Sequence, residues 1–245
     1  MVPLDRHQTL GDLVARLPFA AGVLERHHMD FCCKGATQVE DACAAAGISL
    51  EQLGRELDTA SRLVSVTGSE PAAAWDTASL TDLIEHIVST HHQRLRTWLP
   101  ELNALAAKVV NAHGRRHPAL LELRQELDHL ATELHSHMEK EEYVLFPFIG
   151  QLAGLQPGQA GYQPPPFGSL RNPVSVMLRE HAQAGESLDA LRRLTGDYTL
   201  PAEACASWQS LYARLRELES DLHAHIHLEN NILFPRAAAL EASLN

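Results

Sequence analysis

The chain has little positive charge, few aromatic residues and few cysteines. Its 20 Lys and Arg residues stand against 31 Asp and Glu, a net charge of −11, which argues against nucleic acid and anionic membranes as partners. Four cysteines in 245 residues, two of them adjacent, do not make a disulfide framework. No apolar run approaches the length of a membrane span and the first residues contain no signal-like apolar stretch, so we expect a cytoplasmic protein.

Histidine, by contrast, is abundant, with 15 residues, and several of them lie in a stretch that occurs twice. The first copy occupies residues 135–147 and the second occupies residues 223–235, and both end in Leu-Phe-Pro. When the copies are aligned without a gap, two pairs match: His137 with His225, and Glu141 with Glu229. An internal repeat this close indicates a duplicated structural unit.

The repeat indicates a metal site built on helices. Each copy runs about ten residues without Gly or Pro, which predicts a helix, and residues four apart share one face of a helix. Each motif His therefore stands one turn before its Glu, and such a pair can hold a metal ion. Imidazole and carboxylate without thiolate favour iron or manganese over structural zinc. One His-x-x-x-Glu pair is common on solvated helices, but two in matching context are a specific signal.

Helix start and stop signals predict an all-α chain in two parts. Residues 1–65 are predicted to form a small domain of short helices, residues 66–78 a linker rich in Ser, Thr, Gly, Pro and Ala, and residues 79–245 a four-helix bundle. Together these elements give a four-helix bundle with a small helical N-terminal domain.

Single residues locate several helix ends. Thr37 and Glu40 have the spacing of a capping box for the third short helix. Pro100 is expected to bend the first bundle helix, and Pro201 is expected to start the last one. A Gly- and Pro-rich stretch that includes residues 163–167 is expected to be a long crossover between the second and third bundle helices.

Cys32 and Cys33 are adjacent in a turn that we expect near the N-terminus of the third helix, where the helix dipole favours thiolate. One interpretation is a redox-active or metal-handling thiol pair. The other is two small residues, one buried and one incidental, and the sequence does not decide between them. Cys43 and Cys205 are expected to be ordinary helix-face residues.

If the bundle is a duplication, its first and third helices should match as the second and fourth do. His92 and His181 are 89 residues apart, close to the 88 that separate the motif histidines, so they hold equivalent places. His91, next to His92, is the rival ligand on the first helix. Six inward-facing ligands are thereby predicted: His92, His137, Glu141, His181, His225 and Glu229. Four His and two Glu suit a pair of iron ions bridged by the carboxylates, with positions left open on both metals.

Other polar residues near the motifs are open to two interpretations. Glu133 and Asp221, one turn before the motif histidines, and Glu180, next to His181, either hydrogen-bond ligand imidazoles or lie on a solvated helix face. His113, in the break after the first bundle helix, either approaches the metals or lies apart from them. The remaining motif histidines are expected at the surface or in helix contacts: His135, His223 and His227.

These residues resemble the hemerythrin-like HHE fold and, more closely, the family of di-iron iron–sulfur cluster repair proteins (the RIC family). The resemblance covers nearly the whole chain. It rests on the segment Met29-Asp-Phe-Cys-Cys-Lys-Gly35, on Asn172-Pro-Val-Ser-Val-Met-Leu-Arg-Glu-His181 and on the two Leu-Phe-Pro motifs. It implies that the N-terminal domain carries its thiol pair on Cys32 and Cys33. It also implies two non-haem iron ions, with carboxylate and oxo bridges, on the six ligands named above.

Oxygen-carrying hemerythrins differ in a way that bears on function. They place a second His one turn after the third-helix His, where this chain has Gly185, and they end on His-x-x-x-x-Asp, where this chain has a spacing of four to Glu229. Fewer imidazoles favour a site that reacts with nitric oxide or releases iron over one that binds oxygen reversibly.

The resemblance implies a stress-response protein that repairs iron–sulfur clusters damaged by nitric oxide or oxidants, by donating iron or by binding and reducing nitric oxide. In the reductive version the protein is a nitric-oxide-reactive di-iron oxidoreductase. Its expected partners are nitric oxide or oxygen species and damaged iron–sulfur proteins. The alternatives are a nitric oxide or oxygen sensor or scavenger that repairs nothing, and a helical scaffold with incidental histidines. A homodimer is compatible with the sequence.

Overall fold

The structure is a computed structural model, and it describes residues 4–67, 75–155, 165 and 167–244. Over these ranges the chain consists of helices and turns with one isolated bridge pair, so the predicted all-α class is confirmed. The first part contains α1 (Leu10–Arg16), α2 (Ala20–Arg26), α3 (Val39–Ala46) and α4 (Leu50–Thr67). The Thr9 hydroxyl accepts a hydrogen bond from the Asp12 N–H at 3.1 Å and caps α1. Gly47, with a φ of 69°, ends α3.

The start of α3 differs from the predicted capping box. Gln38, rather than Thr37, precedes the helix, and no side chain caps it. The main-chain oxygen of Thr37 accepts a hydrogen bond from the Leu10 N–H at 2.9 Å, and Thr9 pairs with Gln38 in the isolated antiparallel bridge. The capping box is wrong because this pairing between the segments before α1 and α3 holds Gln38 in an extended conformation.

Within the described residues, four bundle helices follow. The first comprises α5 (Leu80–His86), π1 (Ile87–His92) and α6 (Gln93–His113), and the second comprises α7 (Ala119–Lys140), π2 (Glu141–Leu145) and α8 (Phe146–Ala153). The third is α9 (Arg171–Leu194), and the fourth comprises α10 (Ala206–His227), π3 (Leu228–Leu233) and α11 (Phe234–Leu244). Helix α7 packs against α6 and α9, and α6 packs against α10, which confirms the predicted four-helix bundle.

The π-helical turns lie at predicted metal ligands. His92 is the last residue of π1, Glu141 is the first of π2, and Glu229 is the second of π3. A π-helical turn inserted into an α-helix is rare and is frequently found at functional sites. Helix α9, which carries His181 without a partner glutamate, runs without such a turn.

Helix α6 runs through Pro100 to His113, so this proline lies inside the helix, and the bend expected there stays a prediction. One helix boundary differs from expectation. Helix α10 begins at Ala206 rather than at Pro201, because the residues after Pro201 form a turn in which the Ala204 N–H donates to the Pro201 carbonyl at 3.0 Å.

The predicted linker and the predicted crossover are described only in part. Helix α4 reaches Thr67, so the linker predicted over residues 66–78 begins inside a helix. Residues 68–74 of the linker, and residues 163, 164 and 166 of the crossover, lie outside the described residues. The larger apolar cluster joins buried residues of α1, α2 and α3 to buried residues of α6, α7 and α10. The N-terminal helices therefore share a core with the bundle, and the division into residues 1–65 and 79–245 stays a prediction.

The predicted ligands separate two apolar clusters. On each bundle helix a ligand lies between a residue of one cluster and a residue of the other: Ile87 and Leu95 around His92, Met138 and Leu145 around Glu141, Met177 and Ala184 around His181, and Ile226 and Ile232 around Glu229. A layer of buried polar side chains between two apolar clusters needs compensating partners, since burying unpaired polar groups is costly. No helix in the described part of the chain has the length and apolar character needed to cross a bilayer.

Candidate metal centre

The structure brings the six predicted ligands together in the middle of the bundle. They form two groups that share both glutamates: His92, Glu141, His225 and Glu229 in one, and His137, Glu141, His181 and Glu229 in the other. In each group, one nitrogen or oxygen atom per residue lies within 4.8 Å of the others. All six side chains are buried. The six side chains that were predicted from the His-x-x-x-Glu spacing and from the repeat offset therefore converge in the structure.

The imidazoles face one another in pairs. Nε2 of His137 lies 3.0 Å from Nε2 of His181, and Nε2 of His92 lies 3.1 Å from Nε2 of His225. The glutamates lie against the same four nitrogens: Glu141 Oε2 is 3.3 Å from His137 and 3.4 Å from His92, and the oxygens of Glu229 are 3.0 Å from His181 and 3.0 Å from His225. Every Nε2 atom therefore points into one shared space.

The opposite ring nitrogen of three ligands is held by an outer side chain. Three hydrogen bonds from Nδ1 are present: from His92 to Glu142 at 2.6 Å, from His137 to Glu180 at 3.0 Å, and from His181 to Asn230 at 2.7 Å. An ionised carboxylate can only accept, so the rings that face one carry their hydrogen on Nδ1 and keep a lone pair on Nε2. The amide oxygen of Asn230 accepts in the same way, because its Nδ2 faces the carbonyl oxygen of Cys32 at 3.1 Å.

The His137 and His181 pair shows why this space fits a cation. Both rings carry their hydrogen on Nδ1, so two lone pairs face each other across 3.0 Å. Burial lowers the pKa of His137, which disfavours a proton between the rings near neutral pH. A metal ion accepts both lone pairs at once and removes their repulsion.

The glutamates also lack partners that a cation would supply. Neither carboxylate oxygen of Glu141 has a hydrogen-bond partner among the described residues. Burial, and then the charge of Glu229, raise the pKa of Glu141 well above its ordinary range. Burial opposes ionisation of Glu229 as well, but the neighbouring His225 ring, 3.0 Å away, holds the pKa of that carboxyl well below its ordinary range. Carboxylates and imidazoles without thiolate form a donor set that fits iron or manganese.

Glu142 and Asn230 are site residues that we did not identify from the sequence. Each directly follows a ligand glutamate, so the two occupy equivalent positions in the repeat. The alignment that matched Glu141 with Glu229 therefore contained the signal for these outer partners. Glu142 also accepts a hydrogen bond from Arg96 at 2.7 Å.

His225 has a different kind of outer contact. Its Nδ1 has no hydrogen-bond partner in the described part of the chain, and its ring stacks on the His91 ring at 5.4 Å between centroids. His91 in turn lies with Nδ1 3.1 Å from Asp221, which also accepts a hydrogen bond from Arg94 at 2.8 Å. His91 thus lies behind the group of six rather than in it, and Asp221 faces His91 rather than a predicted ligand.

The other candidate residues have separate outcomes. Glu180 contacts a ligand, and its hydrogen bond from His137, with the adjacent Lys140, lowers its pKa to about 2. Glu133 is exposed and has no hydrogen bond to a ligand, whereas His113 lies 3.2 Å from the thiol of Cys205, apart from the centre. Three further histidines have other surroundings: His135 is exposed, His223 pairs with Glu25, and His227 packs on Phe31.

Cys32 and Cys33 lie against the metal centre. Cys32 is buried and Cys33 is half-buried, with 3.7 Å between their sulfurs. The Cys33 sulfur is 3.7 Å from the main-chain oxygen of His181, and 3.8 Å from the point that a Cβ at Gly185 would occupy. Cys33 therefore lies directly beside the third bundle helix, at a distance where a Cβ at Gly185 would make an ordinary van der Waals contact with its sulfur.

The expected location of the thiols at the start of α3 is wrong. Asp30 holds them in a separate loop, where its carboxylate accepts hydrogen bonds from the main-chain N–H of Cys33 at 2.8 Å and of Lys34 at 3.3 Å. Helix α3 begins later, at Val39. The pKa of Cys33 is lowered because the Cys32 thiol donates a hydrogen bond to it, and the same bond raises the pKa of Cys32.

Two cavities adjoin these groups. One, of about 430 Å³, lies between α7 and α9, and its lining includes His137, His181 and four carboxylates: Glu126, Glu133, Glu180 and Glu186. The other, of about 330 Å³, is lined in part by Cys32 and Cys33. Open volume thus reaches the His137 and His181 side of the centre, and a separate open volume reaches the two thiols.

Comparison with known proteins agrees with this arrangement. Residues 83–237 match the family model described as a hemerythrin HHE cation binding domain, and residues 6–61 match ScdA_N, described as a domain of unknown function. Similar proteins include the iron–sulfur cluster repair protein YtfE of Enterobacter sp. (strain 638), of Citrobacter koseri and of Escherichia coli O8. Each is 37% identical over 237 residues, which cover 96% of this chain and 99% of the relative. The chain therefore belongs to the family of the YtfE iron–sulfur cluster repair proteins and carries their hemerythrin HHE cation-binding domain.

Proposed function

We propose that this chain is a non-haem di-iron protein that restores iron–sulfur clusters damaged by nitric oxide or oxidants. The names of its relatives support the repair role, and the hemerythrin HHE domain supports cation binding. The observation that carries the proposal is the convergence of four imidazoles and two carboxylates into two groups that share both carboxylates. A single ion would leave one of these groups without a cation.

Each half of the centre would hold one iron. His92 and His225 would bind one ion, His137 and His181 the other, and the carboxylates common to both groups would bridge them: Glu141 and Glu229. Bound ferrous iron would supply a labile cation for donation and electrons for nitric oxide reduction. The protein keeps the Nε2 lone pairs of His92, His137 and His181 directed at the ions through their outer hydrogen bonds.

The acidic cavity favours iron donation over gas binding alone. Four carboxylates line the volume that reaches His137 and His181. Fixed negative charges along a cleft raise the local concentration of cations, whereas they do nothing for a neutral gas such as nitric oxide. Iron would therefore leave or enter the centre along this side of the bundle.

Cys32 and Cys33 would take part in the transfer, by receiving iron or by relaying electrons. The contact between the Cys33 sulfur and the main chain of His181 supports this role. We also propose a cytoplasmic location, because the cysteines are free and free thiols persist in a reducing compartment.

The test is recovery of an iron–sulfur enzyme inactivated by nitric oxide, measured anaerobically with and without this protein. Iron-loaded wild-type protein should restore activity, and His137→Ala should not. Cys32→Ser/Cys33→Ser should keep its iron but lose most of the recovery, while Cys205→Ser, which alters an exposed cysteine apart from the centre, should behave as wild type. Binding of nitric oxide with no recovery by the wild-type protein would favour the sensor or scavenger instead.

A further inference from the structure

One side chain joins a candidate metal ligand to the thiol loop, which is the segment of residues 27–38 between α2 and α3 that carries Cys32 and Cys33. The Asn230 amide oxygen accepts a hydrogen bond from Nδ1 of His181 at 2.7 Å, and the Asn230 amide nitrogen donates one to the main-chain oxygen of Cys32 at 3.1 Å. Among the described residues, Asn230 is therefore the only side chain that hydrogen-bonds both to a candidate ligand and to the thiol loop. Its two ends have opposite hydrogen-bonding roles, so the orientation at one end fixes the orientation at the other.

This link determines which nitrogen of His181 is available to a cation. The Cys32 carbonyl can only accept a hydrogen bond, so the Asn230 nitrogen must face it. The Asn230 oxygen then faces His181 and can only accept, so the hydrogen of His181 must be on Nδ1 and the lone pair on Nε2. The backbone of the thiol loop thereby sets the tautomer in which His181 can bind a metal.

The next residue, Asn231, also binds the thiol loop and is in close contact with it. Asn231 donates to the main-chain oxygen of Phe31 at 3.1 Å and to that of Cys32 at 3.3 Å. A Cβ at Gly35 would lie 2.1 Å from the Asn231 amide oxygen, and one at Gly11 would lie 2.8 Å from it. Asn231 therefore holds the loop against π3 beside Asn230, and both side chains donate to the main-chain oxygen of Cys32.

Among the described residues, the other half of the bundle has no such link. Glu142, the repeat equivalent of Asn230, also holds the Nδ1 of a ligand, His92, but its further hydrogen bond is from Arg96. A carboxylate could not donate to a main-chain carbonyl as Asn230 does. The connection between ligand and thiol loop is therefore specific to the second half, and Glu142 supplies a matched control.

We propose that Asn230 couples cation binding at His181 to the accessibility of Cys32 and Cys33. Asn230 is a positioning residue in this account, which rests on the proposed function only in that a cation binds the six ligands. A cation on Nε2 of His181 favours the tautomer with hydrogen on Nδ1, which strengthens the bond to Asn230 and holds the loop closed over the thiols. Coupling between two sites is reciprocal, so a change at the thiols must alter the hold on the cation.

The reciprocal effect has a direct steric origin. The Cys33 sulfur lies 3.7 Å from the main-chain oxygen of His181, so a group attached to this sulfur on the side of α9 would displace the loop from that helix. The displaced loop removes the Cys32 carbonyl from Asn230, and the amide is then free to rotate. His181 loses the partner that fixes its tautomer, and its hold on the cation weakens. Engagement of the thiols would thus favour cation release from this half of the centre.

The experiment uses the full chain under anaerobic conditions, with Fe(II) as the cation and iodoacetamide as the thiol probe. Mass spectrometry follows alkylation of Cys32 and Cys33 with and without Fe(II), and a coloured chelator follows Fe(II) release from alkylated and unmodified protein. In wild-type protein, Fe(II) should slow alkylation at least about fivefold, and alkylation should speed release by a similar factor. Both effects should fall below about twofold in Asn230→Ala and in Asn230→Asp, which keeps an acceptor for His181 but loses the donor to Cys32.

Glu142→Ala separates coupling from loss of an outer partner in general. It should weaken Fe(II) binding about tenfold or more and still show the wild-type protection of the thiols once saturated. Equal protection in wild type and in both Asn230 variants would overturn the inference, as would wild-type thiols that react at one rate with and without Fe(II). A wild-type protein that repairs clusters but shows no effect of Fe(II) on alkylation, and none of alkylation on Fe(II) release, would refute this inference alone. Coupling present in a protein that repairs no cluster would refute the repair function alone.

Discussion

His137 and His181 face each other across 3.0 Å through ring nitrogens that both lack a hydrogen. Glu180 and Asn230 fix this arrangement from the outside, because each accepts the hydrogen on Nδ1. The matching pair, His92 and His225, is fixed on one ring only, since the Nδ1 of His225 has no hydrogen-bond partner among the described residues. The two halves of the centre therefore offer the same number of ligand side chains. They differ in how many of their imidazole rings are held in place by an outer hydrogen bond, two in one half and one in the other.

This inequality predicts two cation affinities. The half with His137 and His181 should fill first, because outer-partner hydrogen bonds contribute about 10–100-fold to metal affinity. An anaerobic Fe(II) titration monitored by calorimetry should show two binding phases of different affinity. His181→Ala should remove the tighter phase and His225→Ala the weaker one. A single phase that both variants weaken equally would contradict the prediction.

Glu141 should give the metal-free protein an unusual dependence on pH. Its pKa in the folded protein is raised well above the ordinary 4.5, so between these two values the folded state binds a proton that the unfolded chain has released. The free energy of unfolding therefore falls as pH rises through this window, and the deficit persists above it. Glu141→Gln removes the titration and should stabilise the metal-free protein near pH 8 by about 1 kcal/mol or more.

Chemical denaturation of chelator-treated protein between about pH 5 and pH 8 measures this difference. With Fe(II) bound, the wild-type protein should have the larger free energy of unfolding, since Fe(II) stabilises it and binds the Glu141→Gln variant poorly. The same pH slope in wild type and Glu141→Gln would show that the carboxyl does not titrate as described.

Gly35 is predicted to be needed for docking of the thiol loop. A Cβ there would lie 2.1 Å from the Asn231 oxygen and 2.8 Å from the main-chain oxygen of Phe31. Gly35→Ala should therefore lower the free energy of unfolding by about 1–3 kcal/mol, as overpacking does elsewhere. Gly22→Ala is the matched control, because a Cβ at this position in α2 meets nothing within 4 Å. It should be neutral or stabilising by about 1 kcal/mol in the same urea titration.

The two thiols should react at different pH values. The hydrogen bond from Cys32 lowers the pKa of Cys33 and raises that of Cys32, and Cys33 is also the more exposed. Alkylation requires thiolate, so Cys33 should react first and at lower pH in metal-free protein. Peptide mapping after brief alkylation across a pH series measures both rates. Preferential modification of Cys32 would contradict the assignment of donor and acceptor.

The convergence of the six candidate ligands was predictable because it depends on short-range geometry. A spacing of four places His137 over Glu141 on any helix, and the near-constant repeat offset extends that argument to His92 and His181. The bundle followed from helix start and stop signals for the same reason. These features need no knowledge of how distant segments pack.

The features that were missed depend on tertiary packing. The π-helical turns, the Nδ1 contacts of Glu142 and Asn230, and the seating of the thiol loop against α9 arise only once distant segments meet. Thr37 illustrates the same limit, since its local capping signal is overridden by main-chain pairing with the segment before α1. The start of α10 was misplaced because a proline starts turns as readily as helices.

The presence of a di-iron centre can be measured through the metal content and the Mössbauer spectrum of protein reconstituted anaerobically with ⁵⁷Fe. We expect about two iron ions per chain in one magnetically coupled pair, the stoichiometry of a carboxylate-bridged helical-bundle centre. The pair should be lost in Glu141→Ala and in His137→Ala, and it should be retained in His135→Ala, which alters an exposed motif histidine. Iron that stays below one ion per chain, or that is unaffected by Glu141→Ala, would contradict the account.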